Sequence, residues 1–205
     1  MSTETKDRIL HAARDLFMRN GIRSVSMDDI ANHLAMSKKT LYKWFSNKDE
    51  IVHTSIQQHL IEEASCEAPF GDAANALEEM FQLMQWHRQF LSDLHPSIFY
   101  DLQKYHPQAW ALFEEHKKTF MLQKVIDNLK RGMAEGVYRP DLDLDVLGRL
   151  RLAEIDLCFN SDIFPHRQFE LIQLHTVCLE HFLLGISSLK GHRLINQYRQ
   201  VTEAE

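Results

Sequence analysis

Residues 24–48, SVSMDDIANHLAMSKKTLYKWFSNK, constrain this chain more than any other stretch. The pattern predicts two short helices, Ser26–Leu34 and Ser37–Phe45, joined by a very tight turn. Ser26 can N-cap the first helix, with Asp29 as a short-armed capping-box partner, and Ser37 can N-cap the second. Leu41 and Phe45 are four apart, so they share a face and can pack on Ile30 and Leu34. Two helices joined this way form a helix-turn-helix, which places its second helix in the DNA major groove.

The other side of the second helix is polar. Lys38 and Tyr42 are four apart, as are Lys39 and Lys43. Three lysines and a tyrosine on a helix held down by its apolar side suit a polyanion. The plainer alternative is a solvated charged face; the tight turn and the two caps favour the polyanion. Lys48 follows at the start of another helix, behind Ser46 or Asn47 as a cap. A lysine there opposes the helix dipole, a cost that makes sense if the ammonium faces a phosphate. Asp28 would repel phosphates, so it should face away or pair with a base such as Arg23.

Upstream, Thr5–Asn20 reads as a helix burying Ile9, Ala12, Ala13, Leu16 and Phe17, with Gly21 ending it. With SMDDIANHLAMSKKTLYKWFSNKDEI behind it, the stretch from residue 5 to 53 resembles the TetR family of one-component transcriptional regulators. Beyond that stretch the resemblance is architectural only. It implies that Thr40 and Tyr42 touch the DNA backbone and that Lys48 meets a phosphate. It places base-edge contacts on Lys38, Lys39 and Lys43, with further contacts from Ser26 and Met27. Lysine reads guanine as a flexible point charge, less sharply than a bidentate arginine.

Charge is divided unevenly. The 205 residues carry a net −6, which argues against indiscriminate nucleic-acid binding. Residues 1–50 carry 9 Lys and Arg against 7 Asp and Glu, while the remainder carries 14 against 22. A slightly basic head on an acidic body is directed towards DNA head first. Cys66, Cys158 and Cys178 are far apart and form no CxxC pattern, as in a reduced cytosolic protein. The polar start MSTETKDRILH has no signal-peptide core, and no stretch approaches a membrane span of ~18 apolar residues, so a cytoplasmic location is expected.

After Lys48 the pattern is helical throughout: Lys48–Cys66, Asp72–Gln89, a segment from His95 to His106, and a long helix from Pro107 to Gly136. PFGD at 69–72 punctuates the first two. Helices Asp143–Asn160 and Arg167–Ser188 follow, and the tail beyond Lys190 reads as a short appendage. The last two long helices are apolar on more than one face, and a chain this small has little room to enclose them; a fully intramolecular core is the alternative. A second copy would cover them, giving a four-helix interface about a two-fold axis. The TetR resemblance implies the same. The interface residues are then Leu152, Phe159, Leu171, His175, Cys178, Leu179, Phe182 and Ile186.

The middle of the chain is rich in aromatics and histidines, where the resemblance implies a small-molecule pocket; plain core is the structural alternative. The candidate lining is Trp86, His87, Phe90, Phe99, Tyr100, Trp110, Phe113, His116 and Phe120, with Arg151, Glu154 and Ile155 from a later helix. Glu154 interrupts an apolar stripe; it either pairs with Arg151 or holds a ligand. The spacing of His175, Cys178 and His181 drifts around a helix, so no metal site or cofactor is expected. No phosphate-binding or serine-hydrolase loop appears, and no enzyme is expected.

The expected fold is all-α: a three-helix helix-turn-helix DNA-binding domain, residues 1–47, and a larger helical ligand-binding and dimerisation domain, residues 48–205. The expected function is that of a homodimeric transcriptional regulator. It would repress at a palindromic operator on double-stranded DNA until a small apolar or aromatic effector releases it. A regulator without a ligand, an all-α enzyme and a structural partner protein are the alternatives.

Overall fold

The computed structural model describes residues 3–65, 72–92, 94–165 and 167–199. Cys66 and most of the PFGD stretch lie outside them, as does the end of the tail. The described residues are all-α, with no strand and one isolated antiparallel bridge, Tyr138 to Ser187. No described helix is long and apolar enough to cross a membrane. The chain divides into two compact units, residues 1–66 with 93–116, and residues 67–92 with 117–205.

The first unit begins with α1, Thr3–Asn20. It buries Ile9, Ala12, Ala13 and Phe17 as expected, and also Leu10, while Leu16 is only half-buried. Gly21 ends it at φ +79, a conformation that L side chains rarely adopt. Helices α2, Met27–His33, and α3, Lys38–Leu41, follow. Next is α4, Lys48–Ser65, whose first turn is capped by Asn47 Oδ1 accepting from Glu50 N–H at 2.9 Å. Helices α6, Ile98–Tyr105, and α7, Pro107–His116, complete this unit; α5 belongs to the second. Because α4 packs against both α1 and α7, the expected domain boundary at residue 48 does not coincide with a break in packing.

The second unit contains α5, Ala76–Ser92, a π-helical turn at Lys117–Met121, and α8, Leu122–Ala134. It continues with α9, Leu144–Cys158, and α10, Leu171–Ile186. Asp143 caps α9 as expected, accepting from Val146 N–H at 3.1 Å. The expected single helix from Pro107 to Gly136 is thus interrupted by the π turn, where the buried Lys117 ammonium reaches both oxygens of Asp156 at 2.8 Å.

The tail departs from expectation. Residues Leu189–Tyr198 form α11, with Ile195 in the core and the Tyr198 ring 5.1 Å from that of Phe81. Asn75 Nδ2–H donates to the Tyr198 hydroxyl at 2.9 Å. The polar residues between Leu194, Ile195 and Tyr198 disguise an amphipathic helix as a tail. Tyr138 anchors the same core: its hydroxyl donates to Asn128 Oδ1 at 2.9 Å, and Asn128 Nδ2–H donates to the Ala76 carbonyl at 3.0 Å. The Tyr138 ring covers Gly132 so closely that a Cβ there would come within 2.0 Å of it.

Candidate nucleic-acid interface and effector region

The helix-turn-helix is built from local hydrogen bonds. Ser26 Oγ accepts from Asp29 N–H at 3.2 Å, and Asp29 Oδ2 accepts from Ser26 N–H at 2.8 Å, a complete capping box. The Ser26 hydroxyl also donates to Asp29 Oδ2 at 2.6 Å, and this bond, with that from the Ser26 N–H, holds the Asp29 carboxyl below its ordinary pKa. At its other end α2 closes with Met36 N–H to Ala31 O and Ala35 N–H to Asn32 O, both 3.0 Å. This is a Schellman ending, and Ala35 occupies its left-handed position at φ 52. Ser37 Oγ then caps α3, accepting from Thr40 N–H at 3.1 Å.

The expected helix Ser37–Phe45 is regular only over Lys38–Leu41. Bonds from Lys43 N–H to Thr40 O and from Trp44 N–H to Leu41 O tighten it afterwards, while Phe45 N–H still reaches Leu41 O at 3.1 Å. Leu41 and Phe45 are almost wholly buried, with Ile30 beneath them and Leu34 half-buried. Two such side chains contribute roughly 1.5–3 kcal/mol each, enough to fix which side of this short element faces outward.

That outward side carries Lys38, Lys39, Tyr42 and Lys43, all exposed. They differ in commitment. Lys38 Nζ lies 2.8 Å from Asp28 Oδ1, and this bond raises the lysine pKa. Asp28 therefore pairs with a neighbouring base as anticipated, but with Lys38 in place of Arg23, because α3 brings Lys38 across the turn. Among the described residues, no carboxylate lies within ion-pair distance of Lys39 or Lys43. The Thr40 hydroxyl sits 2.8 Å from Ser37 Oγ, Ser26 is exposed and occupied by its capping box, and Met27 is buried.

Lys48 departs from the outward ammonium expected of it. Its Nζ donates to the carbonyls of Ile22 at 3.1 Å and Val25 at 3.0 Å, closing the loop between α1 and α2. Partial burial lowers its pKa, opposed by Asp49. The lysine at the start of α4 is tolerated because its charge is answered by these carbonyls.

The second unit holds a buried polar cluster. Arg151 on α9 is 4 % exposed, and its Nη1–H donates to Glu154 Oε2 at 3.2 Å, the expected pairing. Its guanidinium also lies 5.8 Å from the Phe182 ring centroid. His87 on α5 and His175 on α10 are pushed down to about 4, burial being the larger cause and the Arg151 charge a further one. His175 Nε2 is buried without a hydrogen-bond partner among the described residues, and its ring is 5.0 Å from Phe159. Burial also pushes the nearby Cys158 thiol up to about 12, with Cys178 adding to it. Sequence reasoning assigned His175 and Cys178 to an interface instead; only the packing of α5 and α9 against α10 brings them to Arg151.

The candidate effector residues fall into two groups. Phe99, Tyr100, Trp110, Phe113 and His116 belong to the first unit, where Phe113 packs on Phe99 at 5.5 Å and on Trp110 at 5.4 Å. His116 Nε2 lies 3.4 Å from Glu63 Oε2, and Tyr100 is exposed. Trp86, His87, Phe90, Phe120, Arg151, Glu154 and Ile155 belong to the second, with the Trp86 and Phe90 rings stacked at 5.7 Å. A surface groove of about 500 Å3 in the first unit is lined by Glu4, Asp7, Arg8, His11 and Leu34, none of them in the candidate set. No group of three His, Cys, Asp or Glu among the described residues could hold a metal ion.

The interface set also needs correction. Leu152, Leu179, Phe182 and Ile186 are buried within this single chain, and the last three belong to its main core cluster. Phe159, Leu171, His175 and Cys178 are half-buried. The apolar residues that α9 and α10 leave exposed are Val146, Leu150, Leu157, Val177 and Leu184. Both helices are two-faced: Leu152, Leu179, Phe182 and Ile186 serve the interior of this chain, while Phe159, Leu171, His175 and Cys178 lie at its margin.

A family model described as bacterial regulatory proteins, tetR family, matches residues 9–54. Over 178 residues the chain is 32% identical to the HTH-type transcriptional regulator YvaF of Bacillus subtilis (strain 168), covering 75% of this chain and 93% of that one. The chain belongs to the TetR family of transcriptional regulators. KstR2 of Mycobacterium tuberculosis (strain H37Rv), named a transcriptional repressor, is 25% identical over 148 residues, 70% of this chain and 74% of that protein. The fold matches a transcriptional regulator of Saccharomonospora viridis crystallised with choline, at TM-score 0.72 and 21% identity, covering 91% of this chain and all of that one. A TetR-family regulator reads DNA through the helix-turn-helix, so α2 and α3 are its DNA-binding elements.

Proposed function

We propose that this chain is a cytoplasmic, homodimeric repressor that binds a palindromic operator and releases it when a small molecule binds the helical body, with no catalytic step. The supporting observation is the division of α3 and the turn that continues it: Leu41 and Phe45 lock one side into the core, while Lys39 and Lys43 stand exposed and unpaired on the other. These two, with Lys38, would read base edges, Thr40 and Tyr42 would hold the backbone, and Ser26, Met27 and Lys48 would support the register of the head. Residues 1–47 would form the reading head, and residues 48–205 the effector and dimerisation domain.

A second copy would cover Val146, Leu150 and Leu157 of α9 with Val177 and Leu184 of α10. These fall at helical spacing on the outer sides of neighbouring helices. The effector would meet the Arg151–Glu154 pair with His87 and His175, flanked by aromatic rings. The repressor name of KstR2 and the choline held by the Saccharomonospora regulator support this sign and this mode of regulation. Release then follows from the effector's different affinity for two head arrangements; operator affinity falls by that ratio.

Selection of bound sequences from random duplex tests the reading. Lys39→Ala and Lys43→Ala should each relax preference at one base position by about 1–3 kcal/mol. An unchanged consensus in both variants would overturn the base-reading assignment.

A further inference from the structure

We propose that Arg23 and Lys104 form a phosphate-binding patch outside the helix-turn-helix, which grips the duplex flanking the recognised bases. This rests on the DNA-binding reading above and extends its footprint.

The patch is a ladder of cations and phenols in the first unit. Arg23 Nη1–H donates to the Tyr105 hydroxyl at 3.3 Å, and its guanidinium lies 5.3 Å from the Tyr105 ring centroid. Lys104 Nζ donates to the Tyr100 hydroxyl at 2.6 Å and lies 5.0 Å and 5.5 Å from the Tyr100 and Tyr105 centroids. All four residues are exposed. Among the described residues, no carboxylate lies within ion-pair distance of either cation. The tyrosines hold the charges in place without neutralising them, so less entropy is lost when a phosphate binds.

The backbone beneath is fixed. Arg23 N–H donates to Asp101 Oδ2 at 3.1 Å, and Ser97 Oγ–H donates to the same oxygen at 3.0 Å. Asp101 is 4 % exposed, so its charge is spent inside while the cations remain outside. Arg23 stands three residues before Ser26, the cap of α2, so the patch continues directly into the DNA-binding elements. Two cations expected at the DNA, Lys38 at a base edge and Lys48 at a phosphate, are engaged by Asp28 and by loop carbonyls. A duplex long enough to reach past α2 offers Arg23 and Lys104 the anions they lack. An acidic protein would need to bring its own carboxylates to the same place.

The test compares a duplex trimmed to the selected site with one extended by a helical turn on each side, in fluorescence anisotropy over a salt series. Arg23→Gln and Lys104→Gln should weaken binding several-fold on the extended duplex only. The salt slope should fall by about 0.9 for each phosphate contact removed, with the selected consensus unchanged. Unchanged affinity and slope on the extended duplex would overturn the patch. So would an equal loss on both duplexes by variants that melt like the wild type. If Arg23→Gln alters folding, Lys104→Gln decides, because its side chain is on the surface. A wild type with no sequence preference at all would overturn the underlying DNA-binding reading, and the patch with it.

Discussion

Two clusters, one in each unit, treat charge in opposite ways. In the first, Lys39, Lys43, Arg23 and Lys104 stand in water, and even the Lys38–Asp28 pair is more than half exposed. In the second, Arg151 is buried with one carboxylate, and two imidazoles beside it are kept neutral. An exposed cation costs the fold almost nothing and remains available to a polyanion. A buried one is costly unless answered, so its partner becomes part of the fold. The first cluster is thereby suited to a large anionic partner, while the second answers its charge from within.

The largest effect should come from breaking that internal balance. Glu154→Leu leaves the Arg151 charge uncompensated and should destabilise the protein by about 3–5 kcal/mol in urea unfolding. The pair Arg151→Met with Glu154→Leu should recover most of the loss. A small cost for the single variant would mean that Arg151 reaches water, and the contrast between the clusters would disappear.

Acid should sharpen the same contrast. His87 and His175 fall from 6.5 to about 4 on folding, so the unfolded chain binds more protons between these values. Their contribution is full above pH 6.5 and is lost as pH falls towards 4, by at most about 3 kcal/mol each. His59 and His106 in the first unit are also lowered by burial, so variants must assign the effect. Denaturation of His87→Phe and His175→Phe over this range should show a shallower acid loss than the wild type.

A smaller effect separates the two faces of α9 and α10. Val177→Asp or Leu150→Asp should dissociate the proposed dimer, at a cost of about 2 kcal/mol for a charge placed in an apolar interface, and leave the monomer folded. Phe182→Asp should unfold it instead. Light scattering paired with thermal melting distinguishes them; a dimer that survives both outer substitutions removes this interface.

The smallest effect lies at a helix ending used twice. The Schellman ending of α8 has Gly136 at φ +70, whereas that of α2 has Ala35 at φ 52. Ala35→Gly should relieve the left-handed strain and stabilise the first unit by up to about 1 kcal/mol, after the entropy that glycine loses. A lower midpoint in urea would mean that the Ala35 methyl makes a contact worth more than the strain.

The helix-turn-helix was readable because its determinants are local. Ser26, Asp29 and Ser37 act within three residues of themselves, and the spacing of Ile30, Leu41 and Phe45 leaves one way to pack. The pairing of Asp28 with Lys38 was missed because it crosses the turn, where side-chain reach, not sequence distance, selects the partner. In α9 and α10 the abundance of apolar residues announced two apolar faces, one of which is buried within this chain. Periodicity could not say which face turns inward, since Leu179 and Val177 are equally apolar; only packing against α5 and α8 decided it.

The sequence by itself determined the all-α class, the helix-turn-helix and the α9 cap at Asp143, and it named Arg151 as one of two fates for Glu154, because each depends on residues within one or two helical turns. Tertiary structure alone decided the inward turn of Lys48, the helix made from the tail, the meeting of His87 with His175, and the ladder from Arg23 to Tyr100. Each of these joins segments far apart in the chain, and such contacts are set by the competition of whole faces for burial, which no local spacing records.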